Sequence, residues 1–262
     1  MCSTSHRREF LVANTDTERS GDADFDVVVT GGTVFDGTGA PGRRADVGIR
    51  DGMIAAISES PLHVSPGTRV IEAQGRWVTP GFVDTHTHYD VEMLVSPGLL
   101  ESVRHGVTTI LVGNCSISGV YSGTVDVADL FSRVEALPRD AVLAALEAEK
   151  TWSDPAGWRR AVEQLPLGPN VASFLGHSDV RASVMGLGRS TDPAHSPSRA
   201  ELKEIDRRIT AALDEGFLGV STMTNPWDKM DGDRYRSRTL PSTHASWKEF
   251  RRVSRLLRRR DR

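Results

Sequence analysis

The chain of 262 residues holds 38% hydrophobic and 26% charged residues with a formal net charge of −3, a balance that excludes global disorder. That length buries a sizeable core and suits one large or two smaller domains. Two cysteines, Cys2 and Cys115, exclude a disulfide framework and fit a reducing, cytoplasmic compartment; no apolar run approaches the roughly 18 residues of a membrane helix.

Residues 1–23 are polar, lack the apolar stretch and cleavage site of a secretory signal, and are expected to be a disordered leader. Residues 24–76 are short β-type runs separated by turn dipeptides: FDVVVT, Gly31-Gly32, TVFDG, ADVGIR, Asp51-Gly52, MIAAIS and TRVIEA. They predict a small β module. Asp51-Gly52 between two apolar runs predicts a two-residue hairpin turn, because both central residues of a type I′ turn need positive φ.

From residue 77 to 262 strand, loop and helix alternate. WVTPGFVDTHTH, VTTILVGNC, NVASFLGH and GFLGVSTM read as near-continuous apolar strands, the pattern of parallel strands buried on both faces. Helices are expected in LLESVRHG, in ADLFSRVEALPRDAVLAALEAEK with a break at Pro138, over 154–164, in SRAELKEIDRRITAALDEG and in THASWKEFRRVSRLLRRR. Ser198 and Glu201 have capping-box spacing, and Gly216 stands where a helix C-cap belongs. Four βα units are half of what a closed (β/α)8 barrel needs, so the fold class is α/β with a partial (β/α)8 barrel. Open strand edges would then call for the missing half, another chain or an oligomer. The last twelve residues carry seven Arg and one Asp, leaving −9 on the remainder. Val253, Leu256 and Leu257 lie at helical spacing, so the arginines form the wet face of an amphipathic helix; a lone tail helix lacks the footprint of a nucleic-acid binder.

The chemistry concentrates after the first barrel-type strand, at Thr85-His86-Thr87-His88. Alternate residues of an extended segment face the same way, so His86 and His88 can reach one metal. Cys115 follows the second strand and opens at the same end if the two strands are neighbours. Zinc accepts both imidazole nitrogen and thiolate, although for Cys115 alone a small buried hydrophobe is the plainer reading. His6, His63, His105, His195 and His244 fall in the leader, in loops or in helices and read as structural or solvated. Met223, Trp227 and Met230 stand in a loop after the fourth strand that either borders a substrate or packs on itself.

GGTVFDGTGAPGRRADVGIRDGMIAAI, VTPGFVDTHTHYD and HGVTTILVGNCSIS together resemble the N-terminal half of N-acyl-D-amino-acid deacylases of the amidohydrolase superfamily. The resemblance covers roughly residues 24–247. It implies a zinc-dependent hydrolase of an amide C–N bond, with one or two Zn2+ ions, a small-molecule N-acyl amino acid substrate, a β-sandwich-type domain containing residues 24–76 and a (β/α)8 barrel. In that family the HxH pair binds one zinc position and the Cys of the GNC motif the tighter, neighbouring one; His86 and His88 match the pair and Cys115 the thiolate ligand. No Lys follows GFLGVSTM before Lys229, which favours the cysteine-type site over one bridged by a carbamylated Lys. His177 in LGHSDVR resembles the family's Gly-His segment; His177 and Arg181 are candidates for substrate contact, with a core hydrogen bond and a scaffold ion pair as the alternatives. The family's remaining zinc histidines and its general-base Asp lie in later strands, so this chain is read as a truncated one whose activity alone is open. Alternatives are a cyclic-amide hydrolase or deaminase of the same superfamily, and a non-catalytic protein that binds metal or a partner.

Overall fold

The computed structural model describes residues 24–261, which divide into two compact units, one up to Pro80 and one from Gly81 onward. The 1–23 leader, with Cys2 and His6, lies outside the described residues.

In the first unit strands β1 (Val27–Val34), β2 (Arg43–Arg50), β3 (Met53–Ser58), β4 (Arg69–Glu72) and β5 (Trp77–Val78) form one sheet in the order β3-β2-β1-β4, with β5 also paired to β1. Among the described residues of this unit these strands make up one sheet. β2 and β3 meet in the expected hairpin, with Asp51 and Gly52 at φ 51° and 73°. Gly31-Gly32, expected to end a strand, instead lies inside β1 as a bulge: Gly31 takes φ 68°, and its N–H donates to Asp46 Oδ1 at 2.8 Å. Val34, Ala45 and Val47 form the small core, with Val29, Ile49 and Val78 against it.

The second unit runs β6 (Phe82–Asp84), α1 (Glu92–Val95), α2 (Leu100–Val103), β7 (Val107–Val112), α3 (Thr124–Phe131), α4 (Arg139–Glu149), α5 (Pro155–Glu163), β8 (Asn170–Ser173), β9 (Leu175–Gly176), α6 (His177–Met185), α7 (Leu187–Ser190), α8 (Arg199–Asp214), β10 (Val220–Ser221) and α9 (Trp247–Arg259). β6, β7 and β8 pair parallel in sequence order, as do β9 and β10. Phe174 N–H to Val112 O, Leu218 N–H to Ser173 O and Leu175 N–H to Gly219 O, all 2.9–3.0 Å, continue the pairing across the Ser173–Leu175 break. Parallel strands laid side by side in chain order bring the loops after β6, β7 and β9 to one edge, which positions the site. The barrel does not close among the described residues.

Ile110 and Val112 of β7, Leu130 and Phe131 of α3 and Ile205 and Ile209 of α8 are buried in one core. α8 starts at the predicted capping box, Glu201 N–H to Ser198 Oγ at 3.2 Å and Ser198 N–H to Glu201 Oε2 at 2.7 Å, and buries Ile205, Ile209, Ala212 and Leu213 at helical spacing. α6 was not expected: His177 closes the third strand in the sequence pattern, yet the helix begins at that residue. Its polar side chains Ser178, Asp179 and Arg181 are buried, so no apolar stripe announces it. No helix among the described residues is long and apolar enough to cross a membrane.

Candidate metal centre

His86, Thr87 and His88 leave β6 in extended form. Thr87 turns inward, 6% exposed, and both its N–H (3.1 Å) and its Oγ1 (2.7 Å) donate to Leu111 O on β7. Alternation then puts His86 and His88 together on the other side. The segment is tied further by His86 N–H to Asp84 Oδ1 at 3.1 Å and Gly113 N–H to Asp90 Oδ1 at 3.0 Å, while Asn114 Nδ2 donates to Leu111 O at 2.9 Å.

Cys115 arrives from the end of β7 in a left-handed conformation, φ 50°, followed by Ser116 at φ 70°. Two consecutive non-glycine residues of this kind store strain of about 1–3 kcal/mol each, sustained only where surroundings over-determine them. Here they do. Ser116 Oγ shares a 2.7 Å bond with Ser178 Oγ, Ser178 N–H donates to Ser116 O at 2.8 Å, and Ser116 N–H donates to Ser221 Oγ at 3.1 Å. The fully buried Asp179 then gathers the rest of the loop: its carboxylate accepts from Ser118 Oγ (2.8 Å) and from the N–H groups of Val120 (2.9 Å), Tyr121 (3.0 Å) and Ser122 (2.7 Å).

The result is a convergence of three donors. His86 Nε2 lies 3.3 Å from His88 Nε2 and 3.1 Å from Cys115 Sγ, and the three ligand atoms lie within 4.8 Å of one another. Nitrogen ligands about 2.0 Å from a tetrahedral zinc stand about 3.3 Å apart, the spacing of the His86 and His88 nitrogens, and two imidazoles with a thiolate are a donor set that zinc accepts. Burial, and then the neighbouring His86, push His88 down to about 4, so it is a neutral lone-pair donor at pH 7. Burial also pushes the Cys115 thiol up, with Glu135 and Asp228 acting in the same direction. Asp90 is pushed up to about 8 by burial, and Glu135 to about 6 by burial and by Asp228. Glu135 Oε1 stands 3.4 Å from His88 Nδ1. A cavity of about 480 Å³ opens beside the donors, walled by His86, His88, Tyr89, Glu135, Leu137 and Val142.

His177 and Arg181 do not join this cluster. They share one carboxylate: His177 Nε2 stands 3.0 Å from Glu249 Oε1, and Arg181 Nη1 donates to Glu249 Oε2, with exposures of 1, 0 and 2%. The carboxylate that Arg181 meets here is that of Glu249 on α9, the scaffold ion pair weighed beside substrate contact in the sequence. Burial alone raises the Glu249 carboxyl, but the His177 hydrogen bond and the Arg181 charge outweigh it and hold the group below the usual range. His63, His105 and His195 are exposed, and His244 Nε2 pairs with Thr239 Oγ1 at 2.7 Å. Met230 is in the core, whereas Trp227 is 82% exposed. Sequence reasoning missed Glu135, Asp179 and Glu249, which carry no motif and reach their partners across the fold.

A family model described as amidohydrolase family matches residues 69–236. The chain belongs to the amidohydrolase family. It is 52% identical over 238 residues to an uncharacterised protein of Mycobacterium tuberculosis, an alignment covering 91% of this chain and 39% of that one. It is 40% identical over 201 residues to the N-acyl-D-glutamate deacylase of Alcaligenes xylosoxydans xylosoxydans, covering 76% and 37%. Among solved structures it is similar to the N-acyl-D-glutamate deacylase of Bordetella bronchiseptica, with a TM-score of 0.69 and 31% identity over 92% of this chain and 44% of that one; that structure contains zinc and a phosphonate mimic of the reaction's tetrahedral intermediate. The chain thus spans about two fifths of the length of the curated relatives it matches.

Proposed function

We propose that this chain carries the zinc-ligating part of a hydrolase that cuts the amide bond of N-acyl-D-amino acids, with His86, His88 and Cys115 as metal ligands. The observation that carries the reading is the convergence of His86 Nε2, His88 Nε2 and Cys115 Sγ at one strand edge beside a cavity. Three protein donors are what catalytic zinc sites typically use, leaving a position for water or substrate. Zinc held there would act as a Lewis acid on the amide carbonyl and bring the pKa of water towards about 7.

The chain's own residues supply the rest. Neutral His88 offers its lone pair without losing a proton, whereas Cys115, held as a thiol in the metal-free chain, must release one, so metal uptake frees a proton and strengthens as pH rises. The strained Cys115-Ser116 backbone, pinned by Ser178 and Ser221, fixes the thiol beside His86 before any ligand arrives. The cavity, with apolar Leu137 and Val142 in its wall, has the size of a small-molecule site and offers room for an N-acyl amino acid next to the donors. We read the sequential parallel strands β6, β7, β8/β9 and β10 as an arc of a (β/α)8 barrel spanning residues 77–262, and residues 24–76 as part of a β-sandwich-type domain; the likeness to the deacylase structure supports both.

The test is metal stoichiometry by mass spectrometry on wild type and on His86→Ala, His88→Ala and Cys115→Ala, together with release of the D-amino acid from N-acetyl-D-glutamate. One zinc per chain, lost in the variants, is expected; unchanged stoichiometry in Cys115→Ala overturns the ligand set.

A further inference from the structure

We infer that Glu135 is the positioning residue of the metal centre: its carboxylate holds the Nδ1–H of His88, so that Nε2 presents its lone pair beside His86 and Cys115. The inference rests on the reading of the three donors as a metal site. A neutral imidazole carries one proton, and a ring that ligates through Nε2 must keep that proton on Nδ1. His88 Nδ1 is buried and has no hydrogen-bond partner among the described residues, a costly state for a polar nitrogen. Glu135 Oε1 stands 3.4 Å away, with only 17% of the His88 side chain and 20% of the Glu135 side chain exposed. Metal-bound histidines usually give their second nitrogen's proton to such a carboxylate, which fixes both tautomer and ring orientation. At 3.4 Å the two atoms are within reach but not aligned as a hydrogen bond, so reaching the 2.7–2.9 Å of a charge-assisted bond takes about half an ångström of approach together with a reorientation of the carboxylate.

The carrier of Glu135 is built to hold it there. Glu135 N–H donates to Phe131 O at 2.9 Å and Leu137 N–H to Ser132 O at 2.8 Å, with Ala136 between them at φ 54°. This locked turn joins α3, anchored by the fully buried Phe131, to α4, so the carboxylate is delivered by two packed helices. Glu135 and His88 line the same cavity wall, which places the pair where a metal ligand and its support meet substrate space.

The experiment measures zinc Kd by competition with a chromophoric chelator for the 262-residue wild type, Glu135→Gln, Glu135→Ala and His88→Ala. Melting of each metal-free protein and visible spectra of each Co2+ form accompany it. Glu135→Ala is expected to bind zinc about 10- to 100-fold more weakly, and Glu135→Gln less so because its amide oxygen still accepts Nδ1–H. Metal-free melting should stay at the wild-type value. In Co2+-loaded Glu135→Ala the ligand-field bands should shift while the thiolate charge-transfer band persists, the signature of a disturbed histidine beside an intact Cys115. Glu135→Ala affinity within about twofold of wild type, or a loss that merely follows a lower metal-free melting temperature, overturns the proposal. His88→Ala losing zinc while Glu135→Ala keeps it overturns this inference and leaves the ligand set standing; a wild type that takes up no zinc overturns both.

Discussion

Asp179 offers a quantitative test of how the Cys115 loop is held. Its carboxylate is fully buried and accepts four hydrogen bonds, three at Oδ2 from Ser118 Oγ, Val120 N–H and Tyr121 N–H, and one at Oδ1 from Ser122 N–H. Asp179→Asn can place its amide oxygen at the Oδ2 position and keep three donors satisfied, but its NH2 group then faces Ser122 N–H. A bond to a charged acceptor is worth about 1.5–3 kcal/mol, so the isosteric variant should lose about 2–3 kcal/mol of unfolding free energy. Asp179→Ala leaves four buried donors unsatisfied at about 1 kcal/mol each or more, a total of at least about 4 kcal/mol against a typical stability of about 5–15 kcal/mol. Denaturant unfolding followed by tryptophan fluorescence reads both, with the Asn variant as the quantitative one and the Ala variant expected to be marginal or unfolded. Zinc affinity should fall in Asp179→Asn, because residues 118–122 anchor the strained turn that presents Cys115. A loss below about 0.5 kcal/mol in Asp179→Asn would refute the view that this carboxylate organises the loop.

Gly113 and Gly216 separate steric from conformational cost. Both take positive φ, +74° and +97°, but a Cβ on Gly113 would lie 2.0 Å from Phe174 O, whereas Gly216 has nothing within 4 Å. Gly216→Ala should cost about 1–2 kcal/mol in urea unfolding and Gly113→Ala clearly more; equal costs would contradict the geometry. Glu249 supplies a pH test. Its carboxyl lies below the usual 4.5 in the folded chain, so its stabilisation is fully present above about pH 4.5 and is lost as pH falls through the folded value. Glu249→Gln, which strands the buried Arg181, should lose about 3–5 kcal/mol at pH 7 and show a shallower stability decline than wild type as the pH falls below 4.5. An identical acid limb in the two proteins would show that Glu249 does not titrate as stated.

Some features were legible in the sequence because they are local. The His86-Thr87-His88 alternation follows from the two-residue repeat of extended chain, and Thr87 facing Leu111 while the imidazoles face away is that repeat realised. The Asp51-Gly52 turn and the Ser198/Glu201 capping box are complete within a few residues, so their hydrogen bonds can be read from spacing alone. Gly31 shows where local reading fails, since a glycine serves equally as a turn or as a bulge, and only pairing with β2 and the Asp46 contact select the bulge. α6 escaped for a related reason: buried Ser178, Asp179 and Arg181 give it no apolar period, and their partners lie 57 to 68 residues away. Cys115 stands between these cases, its motif visible in the sequence but its approach to His86, 29 residues distant, decided by parallel pairing of β6 with β7. The carboxylates of Glu135, Asp179 and Glu249 belong wholly to the tertiary structure. Their contacts join elements brought together by burial of the shared core, and a chain has no periodic way to announce which distant donor a buried acid will meet.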